Sequence, residues 1–81
     1  MIIGNFTLGY TINNEYYSIR YILDVKEGLF HLEQLFDYGW EDSGKSFKTI
    51  DGIKRNNRMY LNKIQLLGGV VDDYYNGGVS N

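Results

Sequence analysis

Between Ile2 and Leu23 the apolar side chains recur at every second position. In IIGNFTLGYTI, the side Ile2, Phe6, Leu8, Tyr10 and Ile12 opposes Ile3, Asn5, Thr7, Gly9 and Thr11. Period two with β-branched and aromatic residues predicts a strand. Glu15 to Leu23 repeats the pattern, with Tyr17, Ile19, Tyr21 and Leu23 facing away from Tyr16, Ser18, Arg20 and Ile22. Asn13-Asn14, between the two runs, tolerates the positive φ that a two-residue hairpin turn needs. An N-terminal β-hairpin follows.

Asp24 to Trp40 supports two readings. In the favoured one Asp24 caps a helix whose stripe is Val25, Leu29, Leu32, Phe36 and Trp40, ended by Gly39 as a left-handed cap. Leu, Glu and Gln also prefer helix to strand. In the other, Lys26-Glu27-Gly28 is a hairpin turn leading into a third strand, LFHLEQLF, whose apolar residues fall on both faces. Residues 38–47, YGWEDSGKSF, set two glycines among polar and aromatic residues and are expected to form a loop.

Helical spacing is longest between Lys45 and Leu67. Ile50, Ile53, Asn57, Tyr60, Ile64 and Leu67 recur at steps of three and four, which places them on one stripe. Ser46 or Thr49 can cap this helix, Asp51 suits the positive end of its dipole, and Gly68-Gly69 stops it. Asn57 interrupts the stripe either as a residue that fixes register between paired helices or as an exposed position beside a stripe through Ile53, Tyr60, Leu61, Ile64 and Leu67. Val70 to Tyr75 reads as a last edge strand, and 76–81 as a frayed end. The expected fold is α+β: one small domain over residues 1–81, an N-terminal antiparallel hairpin plus a short C-terminal strand, packed on one or two helices.

A domain of 81 residues has a thin core, and with no cysteine it has no disulfide or thiolate metal site to reinforce it. Eight Tyr, four Phe and one Trp must supply the packing, or a partner chain must, which leaves a homodimer open. No run approaches about 20 apolar residues, so no membrane span is expected. The start lacks the features of a secretion signal, and a cytoplasmic chain is the expectation. The absence of proline and abundance of Asn, Ile, Lys and Tyr fit an AT-rich coding genome of the phage kind, which would place the chain in a host cytoplasm.

The net charge of −2 hides a division. Residues 1–44 carry Arg20 and Lys26 against seven acids, while 45–63 carry six cations against Asp51. Such asymmetry can mark a binding face, or opposite patches that meet within one fold.

Catalytic chemistry is sparse. His31, the single histidine, has no cysteine or second histidine near it, and no serine stands in a nucleophile elbow. Neither a zinc ligand set nor a spaced calcium loop is present, so no catalytic residue, metal or cofactor is expected. GWEDSGKS matches a phosphate-loop pattern literally, with Gly44, Lys45 and Ser46 as its phosphate contacts. A working loop follows a buried strand and opens a helix, whereas this one follows FDY and carries Glu41-Asp42 where phosphate oxygens would lie. Coincidence is the better account.

The expectation is therefore a non-enzymatic binding protein that occupies a surface on a macromolecular partner, in the manner of a small phage-type inhibitor or regulator of a host protein. Tyr38, Trp40, Lys45, Phe47 and Lys48 form its aromatic and cationic loop, because tyrosine and tryptophan bury large areas at little entropic cost. Lys54, Arg55, Arg58 and Lys63 form its helical face. The alternative is a nucleic-acid-binding regulator that uses this helical face, against which the acidic pI of about 5.1 argues.

Overall fold

A computed structural model describes the backbone of residues 2–76 and the side chains of 6–75. Five antiparallel strands, β1 (Ile2–Ile12), β2 (Glu15–Asp24), β3 (Leu29–Phe36), β4 (Gly39–Phe47) and β5 (Val70–Asn76), form one sheet in the order β4-β3-β2-β1-β5. One helix, α1 (Ile50–Leu66), joins the two edge strands β4 and β5. The α+β expectation of a hairpin, a C-terminal strand and a packed helix holds.

The dimensions account for the crossover. Five strands spaced about 4.8 Å apart make a sheet roughly 19 Å wide. Seventeen helical residues rise about 25 Å, enough to carry the chain over one face from edge to edge. The first hairpin turns through Asn13 and Asn14, both at positive φ (52° and 66°), as their side chains permit. Thr49 caps α1 by accepting the Gly52 N–H at 3.1 Å. At the other end Gly68 takes φ 71°, and the N–H groups of Gly68 and Gly69 reach the carbonyls of Gln65 and Ile64, a Schellman arrangement.

Under the helix lies the core: Phe6, Leu8 and Tyr10 of β1, Ile19 and Tyr21 of β2, Leu32 of β3, and Ile53 and Ile64 of α1. Phe30, Phe47, Tyr60 and Leu61 pack at its margin. The stripe expected on α1 is narrower than its spacing implied, because Ile50 and Leu67 at its two ends are exposed.

Two expectations are overturned. Residues 24–40 hold no helix. Asp24 does cap, but it caps one tight turn: its Oδ1 accepts the N–H groups of Lys26 and Glu27, and the Gly28 N–H closes on the Asp24 carbonyl at 2.8 Å. Gly28, at φ 67°, then reverses the chain into β3. The run LFHLEQLF pairs with β2 along one edge and β4 along the other, and turns Phe30 and Leu32 toward the core. Of the expected loop at 38–47, all but Tyr38 is likewise strand β4, paired with β3 from Gly39–Phe36 to Phe47–Phe30 with one irregularity in register.

Candidate functional site

With its inner face buried, α1 turns Arg55, Arg58, Met59, Asn62 and Leu66 outward at steps of three, one, three and four. Arg55 and Arg58 are exposed, and neither pairs with an acid among the described residues. Next to Arg58 and two turns beyond it stand Met59, 65% exposed, and Leu66, 86% exposed. Four of the seven acids of the first half are engaged elsewhere. Glu33 binds the Arg20 Nε at 2.9 Å, and Asp24, Glu27 and Asp42 surround His31. The charge division of the sequence thus becomes in large part a division between layers, with Lys54, Arg55, Arg58 and Lys63 on the helix and most of the acids on the sheet strands and their turns.

The residues of the expected aromatic and cationic loop do not stay together. Lys45 of β4 meets Lys63 of α1 across a shallow cavity of about 160 Å³ that Asn56, Met59 and Tyr60 complete, so these two join the helical face. Lys48 is exposed just before α1, and Lys54 is half-buried on its flank. Phe47 is a packing residue, its ring edge-on to Tyr21 with centroids 5.8 Å apart. Trp40 lies on the opposite face of the sheet, where the Arg20 guanidinium sits 4.1 Å from its ring centre. Neighbouring positions on a strand face opposite ways, so contact with Arg20 puts Trp40 on one side and contact with Tyr21 puts Phe47 on the other. Tyr38, in the β3–β4 turn, is 73% exposed and stacks on Phe36 at 5.4 Å.

Asn57 meets neither expectation for it. It is fully buried, and its Oδ1 accepts the Tyr21 hydroxyl at 2.8 Å, while the same hydroxyl accepts from Asn56 Nδ2 at 2.9 Å. Asn57 Nδ2 finds no partner. Burial pushes the Tyr21 phenol up to about 12, against the opposing pull of the Asn56 hydrogen bond. This polar link between β2 and α1 fixes which turn of the helix sits over the sheet, and so which side chains face outward. An unexplained polar residue within an apolar stripe was the sequence signal for it.

The phosphate-loop match falls inside β4. Its amides are already engaged: the Gly44 N–H donates to Asp42 Oδ1 at 2.8 Å, and the Lys45 N–H to Ser43 Oγ at 3.3 Å. No helix starts at this point, so the segment lacks the amide cradle that holds phosphate. A cluster that spacing did not reveal is Asp24, Glu27 and His31, whose donor atoms lie within 4.8 Å of one another, with Asp42 Oδ2 3.7 Å from His31 Nδ1. These are the donors that could hold a cation. They also satisfy each other, since His31 Nε2 is 3.1 Å from Glu27 Oε1, and the N–H groups of Glu27 and Lys26 hold the Asp24 carboxyl below its usual range.

Among the described residues no helix is long and apolar enough to cross a membrane. Comparison of the chain with protein families, with curated proteins and with solved structures finds no match.

Proposed function

We propose that the chain is a non-enzymatic binding protein that docks the outer face of α1 onto an acidic, partly apolar surface of another protein and acts by occupying that surface. A small phage-type inhibitor or regulator of a host protein would act in this way. One observation carries the reading: two arginines with no acidic partner among the described residues share an outward stripe with exposed Met59 and Leu66. Arginine and methionine are enriched at the centres of protein interfaces, where apolar area and a planar charged fork act together. Lys45, Lys63 and Lys48 belong to the rim, where single charges steer association more than they hold it.

Nucleic-acid binding through the same face is the second reading, favoured by four cations on one helix. Exposed Met59 and Leu66 add nothing to a phosphate contact, and the acids of the sheet layer repel a polyanion. The two readings separate in one experiment. The protein is immobilised, partners are captured from a host lysate treated with nuclease, and Arg55→Glu/Arg58→Glu is run beside it. The account expects one stoichiometric protein on the native chain, weakened at least roughly 30-fold by the double reversal. A DNA or RNA mobility shift at low salt, with no nuclease-resistant protein retained, overturns it.

A further inference from the structure

The β2–β3 ladder runs from Asp24–Leu29 to Ile19–Gln34, and beyond it the two strands separate. Tyr16, Tyr17 and Ser18 continue along β2, while the chain leaves β3 through the turn at Asp37 and Tyr38. A cleft of about 330 Å³ lies at this end, opposite in charge to the outer face of α1 and bordering the helix through Tyr10, whose ring lies 6.2 Å from that of Tyr60. Two aromatic stacks contribute to its lining. Tyr10 and Tyr17 stack with centroids 5.3 Å apart, and Phe36 and Tyr38 stack at 5.4 Å with their planes 3° from parallel. Tyr16 adds a fifth ring, and among the described lining residues Asp37 is the one charged group.

The electrostatics of the cleft have one sign. The Tyr17 hydroxyl donates to Glu15 Oε2 at 2.8 Å, and that bond, then burial, raises its pKa. Burial, then a hydrogen bond with Glu41, raises that of Tyr38. Both phenols therefore stay protonated and lean on carboxylates, which makes their rings richer in electrons. Aromatic faces attract cations, and Glu15, Asp37 and Glu41 add to that field.

Among biological cations a guanidinium is planar, weakly hydrated and suited to stacking on rings. The fold already makes this combination once, where Arg20 lies over Trp40 and binds Glu33. The flank of β2 at Tyr16–Ser18, beyond the last β3 pair, offers a strand edge along which an extended segment can lie. We propose that this cleft binds an arginine side chain carried on an extended peptide, its guanidinium against the Tyr17 and Tyr38 rings and paired with Asp37.

The test titrates the labelled protein with a blocked Gly-Arg-Gly peptide, with its citrulline and lysine counterparts, and with tetramethylammonium, read by amide and aromatic chemical shifts. The arginine peptide is expected to move Tyr16, Tyr17, Asp37 and Tyr38 and to bind at least roughly fivefold more tightly than the citrulline peptide. The lysine peptide falls between them. Asp37→Asn and Tyr38→Leu, both in an exposed turn, each weaken the arginine peptide roughly three- to tenfold with the rest of the spectrum unchanged. Equal binding of the citrulline peptide, tighter binding of lysine or tetramethylammonium, shifts centred elsewhere, or no shift at millimolar peptide would each overturn the assignment.

Discussion

Replacing Tyr21 by phenylalanine removes one oxygen atom and breaks two buried hydrogen bonds. The hydroxyl donates to Asn57 Oδ1 and accepts from Asn56 Nδ2, at 2.8 and 2.9 Å. Asn57 already has an unpartnered Nδ2, so in Tyr21→Phe its whole amide is unsatisfied at 0% exposure. An unpaired buried polar group costs about 1–3 kcal/mol beyond the bond itself. Asn56 lines the shallow cavity beside Lys45 and can recover water, so its share is small. We expect Tyr21→Phe to lose about 2–3 kcal/mol, a fall in Tm of roughly 10–20 °C in a domain this small.

Asn57→Leu in the same background removes the stranded amide altogether, and replacing both partners by apolar groups of similar shape is nearly neutral. The double variant should therefore stand within about 1 kcal/mol of the native chain, a coupling of roughly 2 kcal/mol. Urea unfolding of the four proteins measures it. A loss below about 0.5 kcal/mol for Tyr21→Phe, or strict additivity in the double variant, would show that the polar link does not hold α1 in place.

Four further outcomes follow from the same structure. Because burial lifts the Tyr21 phenol to about 12 from an unfolded value near 10, the folded state holds its proton more tightly. That contribution is complete below pH 10 and is lost as pH rises through 12, by roughly 1–3 kcal/mol. Urea midpoints against pH should show the fall, shallower in Tyr21→Phe, and an identical fall in the variant contradicts the assignment. A Cβ on Gly69 would stand 2.9 Å from the Thr11 carbonyl oxygen and 2.7 Å from Ile12 Cγ1, so Gly69→Ala should cost about 1–3 kcal/mol. On Gly9 the three atoms nearest the added carbon all belong to the exposed ring of Tyr16, so Gly9→Ala should leave stability within about 1 kcal/mol while displacing that ring from the aromatic cleft. Finally, Arg20→Ala exposes the Trp40 ring that the guanidinium covers and should shift its fluorescence to the red, whereas an unchanged spectrum would deny the stack.

The first hairpin and the helix could be read from the chain because local chemistry and burial agree there. Alternation meets an Asn-Asn turn, and three–four spacing lies between Thr49 and Gly68-Gly69. Strand β3 could not, because the capping chemistry of Asp24 is the same in a single turn as at the start of a helix; Gly28 at positive φ decides which follows. Strand β4 was hidden for another reason. Its middle, Glu41 to Ser46, is polar and exposed, as an edge strand that must not recruit another chain should be. The candidate surface divided along the same line. The cations of α1 follow from helix period alone, but grouping Trp40 with Phe47 assumed a loop, and a strand sends them to opposite faces.

The account depends most on the outer face of α1 meeting a protein. A photo-crosslinking residue placed at Met59, and a second at exposed Val25 in the Asp24–Gly28 turn as a control, tests this directly in a host lysate. The expected result is one nuclease-resistant protein adduct from position 59, none from position 25, and loss of the adduct when Arg55 and Arg58 are reversed to glutamate. Equal adducts from both positions, or an adduct that nuclease removes, would contradict it.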